Sequence, residues 1–302
     1  MELNSFQEEM RHFLPEIELR FAEPMSRHTS LRIGGPAEVM AFPQNPQELA
    51  HILKVTKELD ITCVILGAGT NILAPDEGCR GLVICLKDCL GGMEPLPGNC
   101  IRVMAGVTMA RAAVFAANHG LSGLEFAHGI PGTVGGGVYM NAGAYGGEMS
   151  GICRSVTLMD GAGQLREVNA RELEFSYRHS KLQESGEIVI SAVLQLQPAE
   201  PEEVKQKMKE LQAKRLASQP LDYPSAGSAF KRPAGGYAAA LIDQAGLRGF
   251  QVGQAAIARK HAGFAINLGG ATAAEMRELL TQVSDQVFRQ TGIRLEPEIR
   301  IW

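Results

Sequence analysis

Residues 129–148 read GIPGTVGGGVYMNAGAYGGE, and eight of these twenty are glycine. Glycine loses more conformational freedom on folding than any other residue, so ordering it costs stability. A cluster this dense is either a flexible linker or a backbone that must come close to a bulky ligand. The flanks argue against the linker. Ile130, Val134, Val138, Tyr139 and Met140 want burial and Pro131 stiffens the start, whereas flexible linkers are polar and rich in Gly and Ser. Gly135, Gly136 and Gly137 would let a backbone lie against a flat or anionic group with no Cβ in the way. Asn141 adds amide donors and an acceptor.

A second glycine-dense turn, GAGTN at 67–71, follows the apolar run TCVIL. It is not a dinucleotide fingerprint, because Ile72 stands where the third glycine would be. It still offers consecutive backbone N–H groups beside the side chains of Thr70 and Asn71, a nest suited to a pyrophosphate. A plain tight turn is the competing reading. Two such loops in adjacent domains suggest one extended cofactor held by backbone donors, with two unrelated turns as the alternative.

Residues 5–20 are expected to form an amphipathic helix with Phe6, Met10, Phe13 and Leu14 on one face. Asn45-Pro46 reads as the cap and first residue of a helix to about Asp60, and residues 62–66 as a strand buried on both faces. Strands follow at 81–86 and 100–106, and Thr108 caps a helix that stops at Gly120. Residues 152–160 and 164–169 read as a hairpin, and 187–197 as a strand. At Pro198 the composition turns to a charged helix, which marks a domain boundary. Beyond the loop 224–233 come a helix at 237–246, a strand at 261–268, a helix at 272–292 and a closing strand at 294–302. The expected domains are 1–87, 88–198 and 199–302, the first two built from mixed helices and strands.

The 302 residues, 45% hydrophobic and 21% charged, suit two or three globular domains. A net charge of −4 gives no basic surplus for a nucleic acid or an anionic membrane. The first residues, MELNSFQEEMRHF, have no signal-peptide core, and no apolar run approaches the roughly 18–20 residues of a membrane span. The cysteines, at 63, 79, 85, 89, 100 and 153, form no CxxC pair. They are expected to be reduced thiols in a cytoplasmic protein, with no metal site.

HTSLRIGGPAEV, VILGAGTNIL, the glycine-rich string, SYRHS, GSAFKRP, HAGFAINLGGAT and LEPEIRI occur in this order. Together they resemble the UDP-N-acetylenolpyruvoylglucosamine reductase (UDP-N-acetylmuramate dehydrogenase) family of bacterial cell-wall synthesis, from about residue 28 onward. The resemblance implies an α+β fold: a vanillyl-alcohol-oxidase/PCMH-type FAD-binding module of two α+β subdomains, followed by a carboxy-terminal α+β substrate-binding domain. It implies noncovalent FAD, although His28 and His128 are of a type that relatives of the fold use for covalent attachment. The cofactor would contact Gly67, Ala68, Gly69, Thr70, Asn71, Ile130, Pro131, Gly132, Gly135, Gly136, Asn141, Ala142, Gly143, Ile190 and Arg300. Core packing is the competing reading for Ile190 and for Tyr177.

The family's catalytic residues carry over to Arg178, Ser228 and Glu298, and its substrate contacts to Tyr145, Tyr177, Gly227, Lys231 and Arg232. Without the resemblance, Arg178 is a surface arginine, Ser228 a turn residue and Glu298 an exposed strand residue. The implied reaction starts with NADPH reducing FAD. Flavin N5 hydride then adds to the β-carbon of UDP-N-acetylglucosamine enolpyruvate, and negative charge spreads from the α-carbon into the carboxylate. Arg178 would stabilise that charge, Ser228 would protonate the α-carbon with help from a cation such as Lys231, and Glu298, protonated, would bond the carboxylate or enol. Both substrates would use one cleft in turn, giving ping-pong kinetics. The implied setting is peptidoglycan precursor synthesis, hence cell shape, cell cycle and cell division, in a monomer or weak oligomer.

The chain departs from part of the family. The short run from Ala234 to Gly253 matches members without the lid insertion, so a lid tyrosine cannot be carried over. Arg32 stands where a smaller or aromatic residue is usual. Two other functions remain open at this level: a flavin oxidase of the same fold acting on a sugar or alcohol, and a noncatalytic nucleotide-sugar sensor. Efficient use of oxygen or a covalent flavin would mark the first, and the three carried-over residues speak against the second.

Overall fold

The computed structural model describes residues 2–302. They divide into two compact units, one of residues up to Phe21, Val39–Ala68 and Gly81–Ala213, the other of Ala22–Glu38, Gly69–Arg80 and Lys214–Trp302. The carboxy-terminal unit thus recruits two segments from the first third of the sequence.

The larger unit is built around a five-stranded antiparallel sheet in the order Leu165–Asn169, Cys153–Met159, Ile188–Gln195, Cys100–Met104, Met93–Leu96. The hairpin between the first two forms as expected. The Asp160 carboxylate accepts the N–H groups of Ala162 at 2.8 Å and Gln164 at 2.9 Å, fixing the turn. On one face of the sheet lies the helix Met109–Asn118, whose Ala112, Ala113, Ala116 and Ala117 are buried. Thr108 Oγ1 caps it by accepting the Arg111 N–H at 3.3 Å.

A second core in this unit joins helices Glu2–Phe13 and Pro46–Glu58 to strand residues Val39, Leu82 and Ile84, through Phe6, Met10, Leu49 and Ile52. Asn45 Oδ1 accepts the Glu48 N–H at 2.9 Å, with Pro46 as the first helical residue. Two expectations change here. The first helix ends at Phe13 and a strand, Glu18–Pro24, follows. Pro15 cannot donate to a helix, and the alternation IELRF then favours a strand. The strand Cys63–Leu66 pairs in parallel with Cys79–Cys85 but lies at the sheet's edge, so Cys63, Val64 and Ile65 are half-buried rather than covered on both faces.

The other unit holds a four-stranded antiparallel sheet, Ser225–Ser228, Phe264–Asn267, Ala255–Ile257 and Gln251–Val252, with the helices Ala238–Gln244 and Ala273–Thr291. Met276, Leu279, Leu280, Val283 and Val287 form the buried stripe of the long helix and meet Leu31, Ile33 and Leu73. Thr272 and Glu275 make a capping box, and Asp76 accepts the N–H groups of Ala273 at 2.7 Å and Ala274 at 2.9 Å. The closing strand is shorter than expected. Only Arg300–Ile301 pairs, in parallel with Ile72–Leu73, because Pro297 has no N–H and residues 296–298 pair with 229–231 instead. No described helix is long and apolar enough to cross a membrane.

Candidate active site

The glycine-rich segment is not extended. Thr133 opens a short helix, Val134–Tyr139, and its Oγ1 accepts the Gly136 N–H at 3.3 Å. The three consecutive glycines differ in purpose. A Cβ on Gly135 would lie 2.9 Å from Ala105 Cβ, and one on Gly137 2.8 Å from Met109 Sδ. Those two are glycine so that this helix can press on its own neighbours. Gly136 would meet only Thr133 Oγ1, at 3.5 Å, and is exposed, so it alone of the three presents bare backbone. A Cβ on Gly67 would sit 2.7 Å from Thr133 Oγ1, so the start of the GAGTN turn packs directly on the glycine-rich segment.

Around these glycines the chain is tightly tied. Ile130 N–H donates to Ala127 O at 3.0 Å, Gly132 (φ 142°) accepts from Met109 N–H at 3.0 Å, and Ala142 N–H donates to Gly137 O at 2.8 Å. Pro131 is exposed and Ala68 half-buried. Asn141 is 1% exposed with φ 43°. Its Nδ2 donates to Ser176 O at 3.0 Å and its Oδ1 accepts Ser150 N–H at 2.9 Å, so the amide braces this unit internally. Ile190 lies in the apolar core, 3% exposed.

Of the several non-glycine residues that this unit holds in the left-handed region, two lie in turns that meet at Gly143. Gly143–Ala144 and Gly147–Glu148 pair across Tyr145-Gly146, with φ 53° and 85°. A two-residue hairpin turn with both φ positive favours Asn or Gly, so a tyrosine there is strained, and its side chain is 47% exposed. Arg178 has φ 56° in the turn closed by Ser176 N–H to His179 O at 3.1 Å and His179 N–H to Ser176 O at 3.2 Å. Its Nη2 donates to Gly143 O at 3.3 Å, and its guanidinium carbon is 5.1 Å from the Tyr177 ring centre. Tyr177 is 51% exposed, which removes the core-packing reading. The fold therefore joins Tyr145, Gly143, Tyr177 and Arg178 into one patch. Holding an exposed tyrosine and a half-buried arginine in this conformation costs about 1–3 kcal/mol each, which the surrounding contacts must offset.

The other unit makes its own constellation. Gly69 (φ 61°) is required by contact, since its Cβ would lie 1.9 Å from His28 O. Ser30 N–H donates to Gly69 O at 3.0 Å, and Ser30 Oγ is buried with no partner among the described residues. Thr70 and Asn71 are half-buried, and Asn71 Nδ2 donates to Glu298 O at 3.2 Å while Arg300 N–H donates to Asn71 O at 3.0 Å. Glu298, half-buried, donates its N–H to Ala229 O at 2.9 Å, which sets it beside Ser228 although 70 positions separate the two. Between Ser225 and Ser228 the strand carries an extra residue, with Gly227 at φ 78°. Such a bulge re-aims the side chain that follows it, and Ser228 is exposed. Lys231 ion-pairs with Glu296, and the Arg232 guanidinium stacks 4.1 Å from the Tyr237 ring centre.

The buried, unpartnered Ser30 hydroxyl beside the turn at Gly69 is a donor of the kind that an anionic cofactor such as FAD uses, and in its own unit Gly136 offers backbone without a Cβ to a flat group. His28 Nε2 is 2.8 Å from Glu23 Oε1, and His128 Nδ1 is buried with no partner among the described residues. All six cysteines are free, and burial pushes the Cys89 thiol up to about 11 and the Cys153 thiol up to about 12. No group of three His, Cys, Asp or Glu among the described residues could hold a metal.

Residues 37–169 match the profile of an FAD binding domain, and 219–302 that of the UDP-N-acetylenolpyruvoylglucosamine reductase C-terminal domain. A UDP-N-acetylenolpyruvoylglucosamine reductase of Agathobacter rectalis is 45% identical over 299 residues, 95% of each chain. The chain belongs to the UDP-N-acetylenolpyruvoylglucosamine reductase family. A family member from Streptococcus thermophilus is 42% identical over 97% of this chain and 96% of its own length. The crystal structure of the Thermus caldophilus reductase matches with a TM-score of 0.77 at 34% identity, over 95% of this chain and 99% of that one. An alkyldihydroxyacetonephosphate synthase matches at 14% identity and a TM-score of 0.51, over 65% of this chain and 40% of that one, and shares the fold alone. The fold is thus α+β, a PCMH-type FAD-binding module with the family's carboxy-terminal domain. The protein is an FAD-dependent oxidoreductase.

Some residues of the two constellations escaped sequence reading. Ser30 stands inside a quoted motif, and a hydroxyl two residues from a histidine gave no reason to single it out. Ser180 and Gln183, which tie the Arg178 turn to Tyr139 O, carry no signal of that contact, because Tyr139 lies 41 and 44 residues away.

Proposed function

We propose that the protein reduces UDP-N-acetylglucosamine enolpyruvate to UDP-N-acetylmuramate, with NADPH as reductant, in cytoplasmic peptidoglycan precursor synthesis. The observation that carries this reading is the strained pair Tyr145 and Arg178, two exposed or half-buried side chains joined through Gly143, in a chain whose relatives bear this activity's name. The residues that would hold noncovalent FAD are Gly67, Ala68, Gly69, Thr70 and Asn71, with Ile130, Pro131, Gly132, Gly136, Ala142 and Gly143 from the glycine-rich segment and Arg300 from the closing strand. Ser30 Oγ would add a donor there. When bound there, FAD would supply the two-electron chemistry that links NADPH to the substrate's β-carbon. We assign 1–87 and 88–198 to the two halves of the cofactor module and 199–302 to substrate binding.

Arg178 holds the substrate carboxylate and stabilises the charge that develops on it; the half-buried guanidinium, fixed by Gly143 O, is preorganised for this. Losing one such donor typically costs about 10²–10³ in rate, roughly 2.7–4 kcal/mol. Ser228 gives its hydroxyl proton to the α-carbon, so that hydride and proton together saturate the double bond. Glu298, beside Ser228 on the neighbouring chain segment, bonds the carboxylate or enol oxygen. Tyr145, Tyr177 and Gly227 line the substrate, and Lys231 and Arg232 meet its charged groups. The test is an anaerobic rapid-mixing experiment that follows the visible flavin band. Bleaching by NADPH and recovery on adding UDP-N-acetylglucosamine enolpyruvate are expected. Bleaching without recovery would move the substrate elsewhere, and a colourless protein that takes up no FAD would end the reading.

A further inference from the structure

Arg178 sits in a backbone conformation that an arginine does not choose, so something must hold it there. The turn's own two hydrogen bonds run between residues 176 and 179 and do not use the Arg178 carbonyl. Gln183, on the single-turn helix Leu182–Ser185, secures it. Its Nε2 donates to Arg178 O at 3.1 Å and to Tyr139 O at 3.2 Å, and lies 3.8 Å from Met140 Sδ. The two N–H bonds of one amide therefore tie the arginine turn to the last residue of the glycine-rich helix. Ser180, fully buried, doubles the tie by donating its hydroxyl to the same Tyr139 O at 2.7 Å. On the other side of the turn, Asn141 Nδ2 holds Ser176 O at 3.0 Å.

We infer that Gln183 is a positioning residue: its amide clamps the carbonyl of Arg178 to that of Tyr139 and so aims the guanidinium. The inference rests on the role proposed above for Arg178. The side chain of Gln183 needs no contact with substrate for this, only two N–H donors at the right span. A carboxylate of the same shape cannot supply them, since an ionised acid only accepts.

The test uses the full-length FAD-loaded enzyme and the variants Gln183→Glu, Arg178→Ala and the double variant. Gln183→Met, of similar length and without donors, replaces the glutamate variant if an added charge prevents folding. Gln183→Glu should slow flavin reoxidation by UDP-N-acetylglucosamine enolpyruvate about 10- to 100-fold, the scale of a small misplacement of a catalytic group. Flavin content and the rate of flavin reduction by NADPH should not change. Amide hydrogen exchange at Ser176 and His179 should quicken, with the central strand Ile188–Gln195 unaffected. In the Arg178→Ala background the second substitution should change reoxidation less than about twofold, because residues that act as one unit are not additive. Equal slowing of both half-reactions, or full additivity in the double variant, would overturn the inference. So would a slow Arg178→Ala enzyme beside a Gln183→Glu enzyme of wild-type rate. If Arg178→Ala itself reoxidised at the wild-type rate, the proposed role of Arg178 would fall and take the inference with it.

Discussion

Replacing Arg178 by glycine and by alanine separates backbone strain from side-chain chemistry. Both variants lose the hydrogen bond to Gly143 O and the contact with the Tyr177 ring, so these losses cancel in the comparison. What remains is the φ of 56°. Alanine keeps the left-handed cost, about 1–2 kcal/mol, and glycine removes it. Glycine pays for this in unfolded-state entropy, about 0.5–1 kcal/mol. The difference leaves Arg178→Gly more stable than Arg178→Ala by about 0–1.5 kcal/mol, with a middle value of about 0.75, the reverse of the order in a helix or strand. For a chain of this size that is a midpoint difference of about 2 °C, read by thermal denaturation with FAD in excess. In the reoxidation assay both variants should be slowed by about 10²–10³. An alanine variant more stable than the glycine variant, the order found in a helix or strand, would refute the claim that this turn stores strain, and with it the argument that the strain is retained for the side chain.

Three further outcomes are expected. Ser228→Ala should reduce its flavin with NADPH at the normal rate and reoxidise about 10²–10⁴ times more slowly, and a wild-type reoxidation rate would remove the proton-donor assignment. Gly67→Ala would push a Cβ to 2.7 Å from Thr133 Oγ1, so it should lose about 1–3 kcal/mol and retain less FAD per protein, whereas Gly151→Ala, with nothing within 4 Å, should match wild type in both. Glu125 is 3% exposed; burial pushes its carboxyl up, but the donors Ser122 Oγ at 2.6 Å and Gly123 N–H at 2.8 Å, with Lys207 nearby, outweigh this and hold it below the ordinary carboxylate range. Its stabilisation is therefore complete above about pH 4.3 and is lost as pH falls through the lower folded value, so the urea-midpoint gap between wild type and Glu125→Gln should be full at pH 7 and shrink below about pH 4. A gap that stays constant with pH would contradict the assignment.

Local chemistry was legible along the chain. Asn45 with Pro46, Thr108, and Thr272 with Glu275 all start helices where their side chains can accept a backbone N–H three residues on, a contact within one turn. The hairpin at Asp160 and the stop at Gly292 are equally local. Pro15 was a local signal too, and the helix expected to run past it ended at Phe13. Glycine content marked residues 129–148 as special, but not which glycine served what. Gly135 and Gly137 answer to Ala105 and Met109, whose positions no reading of the segment itself supplies.

What the amino-acid sequence determined by itself was the set of elements, the order of the motifs and, through that order, the family and its cofactor. Those depend on neighbours within a few residues or on the pattern as a whole. Only the tertiary structure decided that residues 22–38 and 69–80 fold with the carboxy-terminal third, that a bulge exposes Ser228 beside Glu298, and that Arg178 and Tyr145 take left-handed turns joined at Gly143. Each of these is a contact between residues far apart in the chain. A hydrogen bond such as that of Gln183 to Tyr139 leaves no trace in either segment, because each residue alone would be as well satisfied by water.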